Sequence, residues 1–83
     1  MRAFETVLSI KEMKDVCYLV DAFKNIDCDM DLMTEYRRYI VDAKSLLGVF
    51  SLDLTCPLIL RAYTDDAETV RQIRAVIQKL GAP

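Results

Sequence analysis

Along residues 2–8, RAFETVL, the side chains alternate: Phe4, Thr6 and Leu8 share one side of an extended chain, and Ala3, Glu5 and Val7 the other. A period of two predicts a strand. From Ser9 onward the period changes. Met13, Val16, Val20 and Phe23 recur at helical spacing with Cys17 beside them, while Lys14, Asp21 and Lys24 lie mainly on the opposite side. Ser9 followed three residues later by Glu12 reads as a capping box, in which each side chain satisfies a free amide at the helix start. This helix is expected to end near Asn25.

Residues 27–32 alternate again, with Cys28, Met30 and Leu32 expected inward and Asp27, Asp29 and Asp31 in water. Tyr39, Val41 and Ala43 repeat the pattern after a polar turn around Glu35–Arg38, so residues 28–43 read as a hairpin. The turn lacks Asn-Gly or Asp-Gly and is expected to exceed two residues. Residues 46–51 suit about one and a half helical turns. Pro57 then opens a strand, where its missing N–H costs little. Within that strand Leu58, Leu60 and Ala62 face one way, and Ile59, Arg61 and Tyr63 the other. A last helix is expected after Thr64-Asp65-Asp66, with an apolar stripe of Val70, Ile73, Ile77 and Leu80, Lys79 near its end and Gly81 as its stop. The order strand, helix, strand, strand, short helix, strand, helix predicts an α+β fold: a four-stranded antiparallel sheet with three helices on one face.

Composition narrows the chemistry. Eighty-three residues suit one domain, 1–83, in which most apolar side chains are needed to hold the core. A net charge of −2 gives no general attraction to nucleic acid or to an anionic membrane, and no apolar run approaches the length that spans a bilayer. Arg37-Arg38 reads as a solvated turn. Cys17, Cys28 and Cys56 cannot all pair and form no C-x-x-C unit. Reduced, buried cysteines in a cytoplasmic protein with no leader peptide are the simplest expectation. The Asp27-x-Asp29-x-Asp31 run lacks the rest of a calcium loop, since Leu32 stands where glycine is required and Arg38 where a bidentate glutamate is. The chain has no histidine at all, which removes the histidine-based catalytic arrangements and the commonest zinc ligand. Two glycines are too few for a phosphate-binding loop. No enzyme, metal site or cofactor is expected.

One stretch is more specific. Lys44-Ser45-Leu46-Leu47-Gly48-Val49-Phe50-Ser51-Leu52 resembles, position for position and with conservative apolar swaps, the start of the second helix in the histidine-containing phosphocarrier protein (HPr) family of the bacterial sugar phosphotransferase system. The element order and length are similar too. The resemblance implies an open-faced β-sandwich and contacts with partner proteins. It also implies a phosphoryl-carrying histidine after the first strand, in a Gly-x-His-Ala-Arg-Pro stretch. Here the sequence departs from the family. That neighbourhood holds Lys11, Glu12, Lys14 and Asp15, and no histidine exists to take the phosphoryl group. Ser9 and Glu12 are expected to occupy the amides that would hold an anion, so phosphate transfer through the chain is not expected.

Ser45 carries two compatible expectations. As a helix N-cap its hydroxyl accepts from the amide of Leu47 or Gly48. The resemblance adds regulatory phosphorylation by a dedicated kinase, as in part of the family. Leu46, Leu47 and Phe50 are the candidate partner-binding residues. Adjacent leucines diverge by ~100° around so short a helix, so one of them, together with Phe50, is expected in solvent as a docking patch. The resulting reading is a monomeric, non-catalytic HPr-like regulatory domain that meets a protein partner through Ser45–Leu52. A second layout suits the same element order: a βαββαβ regulatory module that dimerises and binds small molecules such as amino acids. The Lys44–Leu52 match favours the first reading, and the lack of a glycine-rich loop before the first helix disfavours the second.

Overall fold

A computed structural model describes residues 2–80. Four strands, β1 (Phe4–Leu8), β2 (Met30–Thr34), β3 (Ile40–Asp42) and β4 (Leu58–Ala62), form one antiparallel sheet in the order β1-β4-β2-β3. The register sets Thr6, Leu60, Leu32 and Val41 in one cross-sheet row and Leu8, Leu58 and Thr34 in the next. These rows face the helices. With a period of two, one residue of slip would turn the whole apolar set into water, so the alternation fixes the pairing.

Helices α1 (Met13–Lys24), α2 (Leu46–Phe50) and α3 (Ala67–Gln78) cover that face. Val16, Leu19, Val20 and Phe23 of α1, Val49 of α2 and Ile73 of α3 close the core over Leu32, Leu58 and Leu60. Each fully buried large side chain contributes roughly 1.5–3 kcal/mol. Arg74 of α3 lies 4.7 Å from the ring centroid of Phe4, and the Tyr18 hydroxyl donates to the Val76 carbonyl at 3.3 Å. Both contacts tie α3 to its neighbours. Asp66 caps α3 by accepting from the Thr69 amide at 2.9 Å, as the acidic run before the helix predicts. The Gly81 stop lies outside the described residues.

Several local expectations need correction. Helix α1 begins at Met13 with Glu12 as its N-cap, three residues later than a Ser9 cap requires. Ile10 is buried in the core ahead of the helix, and an extended segment delivers it there. Met13 falls off the apolar stripe and is 73% exposed. Cys17 and Cys56 are exposed and Cys28 half-buried, so the cysteines are free but do not serve as buried hydrophobes. Strand β2 starts at Met30 rather than near Asp27, because Cys28 N–H turns back to the Ile26 carbonyl at 3.0 Å. Tyr39 is exposed, leaving Val41 and Ala43 as the inward members of the return strand.

Candidate functional site

At the start of α1 the carboxylates serve the helix itself. Asp15 Oδ2 accepts from the Glu12 amide at 3.3 Å, and the Asp15 amide donates to the Glu12 carbonyl at 3.0 Å. Lys14 Nζ lies 3.3 Å from Glu12 Oε2, and Asp15 is buried. Negative charge in a first turn complements the positive end of the helix dipole, so the place where an anion could be held is taken by the chain's own acids. Lys11 is exposed. Ser9 takes no part in the cap, whose pair is Glu12 and Asp15.

The start of α2 is built differently. Ser45 Oγ accepts from the Gly48 amide at 3.1 Å, the Ser45 amide donates to the Asp42 carbonyl at 3.0 Å, and the Val49 amide donates to the Ser45 carbonyl at 2.9 Å. Gly48 sits in a crowded position: a Cβ there would stand 3.1 Å from Ser45 Oγ and 3.3 Å from Val41 Cβ, close enough that a neighbour would have to give by a few tenths of an ångström. Lys44 is spent on the fold, its Nζ donating to the Ile26 carbonyl at 2.7 Å. Val49 is buried, and Leu47 is 83% and Leu46 39% exposed. Phe50, expected in solvent, is instead half-buried and packs against the core. It follows the anchoring Val49 by about 100° around the helix, on a flank that meets the core. Leu46 also borders a shallow cleft of about 490 Å³ against Cys17, Tyr18, Asp21 and Lys24 of α1.

The open face of the sheet holds a feature that the sequence reading missed. Arg37, in a left-handed turn conformation (φ 54°), reaches across the sheet and grips Glu5 with both terminal nitrogens at 3.1 Å. Arg61 holds the same carboxylate, its Nε 2.5 Å from Glu5 Oε2. The Arg37 hydrogen bond, followed by that of Arg61, pulls the Glu5 carboxyl down from the usual glutamate range to about 2. On its way Arg37 passes over Met33, 3.6 Å from its sulfur, and leaves it 1% exposed although it faces away from the helices. Beside this network the Tyr63 hydroxyl donates to Asp31 at 2.7 Å. Among the described residues no group of three His, Cys, Asp or Glu side chains is placed to hold a metal ion. No described helix is long and apolar enough to cross a membrane.

This sheet order and helix placement recur in known proteins. HPr-C-His from Thermoanaerobacter tengcongensis superposes with a TM-score of 0.70 at 18% identity, covering 95% of this chain and 93% of that chain. The phosphocarrier protein HPr from Bacillus anthracis strain Ames gives 0.71 at 15% identity, covering 96% and 99%. The chain has the HPr fold. No family model and no curated protein matches the sequence. At this level of identity the likeness is one of backbone architecture, in a chain whose sequence contains no histidine.

Proposed function

We propose that the chain is a non-catalytic HPr-like interaction domain that binds a protein partner through Ser45–Leu52. The observation that carries this reading is the pair of exposed leucines, Leu46 and Leu47, on a short helix whose start is fixed by a serine cap. Leu47, 83% exposed, contributes little to its own fold, and a capped helix holds such a side chain ready for a partner's apolar surface. The HPr fold, the missing histidine and the acid-filled start of α1 support a domain that keeps the architecture and has given up the phosphohistidine. Residues 1–83 would act as one monomeric domain. Three free cysteines suit a reducing compartment such as the cytoplasm.

Ser45 is the proposed point of regulation. A phosphate there would keep acceptor oxygens over the Gly48 amide while adding about −1.5 to −2 charge beside Leu46 and Leu47. The cap would survive and the apolar surface would change character.

Two measurements test the reading. Incubation with phosphoenolpyruvate and the general phosphotransferase enzyme should leave the mass unchanged; a stoichiometric, acid-labile phosphoryl adduct would refute the loss of carrier chemistry and direct attention to Glu12 or Asp15. Partner capture from an extract of the source cells should succeed with the parent chain and fail with Leu47→Asp at equal folded concentration. Equal capture by both would remove α2 as the docking element.

A further inference from the structure

The hairpin turn sends its two arginines to opposite sides of the sheet. Arg37, with its positive φ, crosses the open face to Glu5. Its neighbour Arg38 is left on the other side, at a cleft of about 540 Å³ between the β2–β3 turn and the α2–β4 loop, together with Thr34, Glu35, Tyr36, Tyr39 and Pro57. That volume lies in the range of small-molecule sites. Tyr36 and Tyr39 are both exposed, although neither covers the core. Arg38 and Glu35 have no ion-pair or hydrogen-bond partner among the described residues. In the same wall Thr34 Oγ1 is buried with no hydrogen-bond partner among those residues. Buried polar atoms in native proteins normally have one.

The charges choose the ligand class. Asp53 also borders the cleft; Oδ1 accepts from Thr55 Oγ1 at 2.5 Å and from the Thr55 amide at 3.1 Å, and Oδ2 from the Cys56 thiol at 3.6 Å, so the carboxylate is held by its own loop but keeps its negative charge. Glu35 and Arg38 are the charged side chains of the cleft left without any partner among the described residues, one of each sign. A lone anion would satisfy Arg38 but meet Glu35 and Asp53, and a lone cation would satisfy Glu35 but meet Arg38 and leave it unpartnered. A zwitterion satisfies both. The tyrosine rings and Pro57 then offer apolar surface to a side group. We propose that this cleft binds a free α-amino acid with an apolar or aromatic side chain. The Arg38 guanidinium would hold its carboxylate and Glu35 its ammonium, with the side chain lying against Tyr36, Tyr39 and Pro57. Nothing in this site depends on the docking role of α2.

An open cleft with one ion pair to each charged group on the ligand's α-carbon calls for a dissociation constant on the order of 1 mM. The test is a ¹H–¹⁵N NMR titration of the full chain with L-phenylalanine and with L-leucine. Phenylacetate, lacking the ammonium, and phenethylamine, lacking the carboxylate, serve as comparison ligands. The amino acids should shift the amides of residues 34–39 and of Cys56 saturably, with each single-charge analogue at least about tenfold weaker. Arg38→Ala and Glu35→Gln change exposed side chains and should leave the circular dichroism and the remaining spectrum unaltered, while each weakens binding about tenfold. Absence of a saturable shift with both amino acids would overturn the proposal. So would phenethylamine or phenylacetate binding as tightly as phenylalanine, or variants that bind like the parent. Because Leu47→Asp should leave this titration unchanged, failure here is distinguishable from failure of the docking reading.

Discussion

Replacing Ser45 tests the small helix on which the functional reading rests. Helix α2 spans only Leu46–Phe50 and buries only Val49 fully, so it has little packing energy to spare. An isolated helix of this length would not form in water. Ser45 Oγ supplies the acceptor for the Gly48 amide, at 3.1 Å. Ser45→Ala removes that acceptor and leaves the amide to whatever water reaches a half-buried position. The loss is expected at about 1 kcal/mol, within the 0.5–2 kcal/mol measured for such caps. For a domain of this size that lowers Tm by roughly 4–8 °C. Ser45→Asp should recover most of the loss, because aspartate caps as well as serine and adds charge at the favourable end of the dipole.

The assay is a thermal and a urea melt of the three forms, with a phosphoserine form made by semisynthesis and all four titrated against the captured partner. If serine is only a cap, affinity should follow the folded fraction and be the same for serine and aspartate. If Ser45 is also a switch, the phosphoserine form should change affinity by more than the stability difference explains. An alanine variant as stable as the parent would refute the reasoning, since the bond seen at Gly48 would then contribute nothing to holding α2.

Gly48→Ala should fail to deliver the gain of about 1 kcal/mol that alanine brings to an open helix, because its Cβ would press on Ser45 Oγ and on Val41 Cβ, a branch carbon that cannot rotate away; equilibrium unfolding that shows the full gain would contradict the crowding. Phe50→Asp should cost at least about 2 kcal/mol by putting a charge against the core, whereas Leu47→Asp should stay within about 0.5 kcal/mol of the parent; the reverse order in urea melts would mean that α2 is rotated from the orientation described. The Glu5 carboxyl, held down to about 2 by Arg37 and Arg61, makes a contribution to stability that is fully present above its ordinary value of 4.5 and is lost as pH falls from there through about 2. Melts of Glu5→Gln should therefore show a flatter pH profile in that window and no change in slope above it, and an unchanged acid limb would show that the pair is too solvent-screened to matter.

What was legible in the chain was what short-range physics decides. The alternations at 2–8 and 58–63 are each long enough to fix a strand and its inward face, the one at 27–32 gave the inward Met30 and Leu32 but began the strand three residues early, and β4 came out with its facing right at every position. The Glu5–Arg37 contact joins residues 32 apart in sequence, and no local pattern announces it. An Arg-Arg pair in a turn looks the same whether both side chains are solvated or one is folded over a methionine. The α1 start failed for another reason. Ser9-x-x-Glu12 and Glu12-x-x-Asp15 are two overlapping capping patterns three residues apart, and the apolar spacing of α1 is compatible with either. The choice is tertiary: burying Ile10 keeps residues 9–11 out of the helix, and the cap passes to Glu12.

Helix α2, the proposed docking element, shows the same division most sharply, and its geometry decides which residue a partner on it would meet. Leu46, Leu47, Val49 and Phe50 are all apolar, so hydrophobicity alone cannot orient five residues. Geometry can, once one position is fixed. Leu47 and Val49 are two residues apart, hence about 200° around the axis, so burying either turns the other into solvent. Val49 is the one buried. Phe50 follows it at ~100° and Leu46 precedes Phe50 by one full turn, which leaves both on the flanks, one against the core and one at the cleft with α1. Leu47 alone projects fully away. A partner that docks on α2 therefore depends on Leu47 more than on Leu46, and on Phe50 only through the stability of the helix. Comparing Leu47→Ala with Leu46→Ala at matched folded fraction isolates this claim. If Leu46→Ala weakens binding more, the contact runs along the α1–α2 cleft instead of the crest of α2.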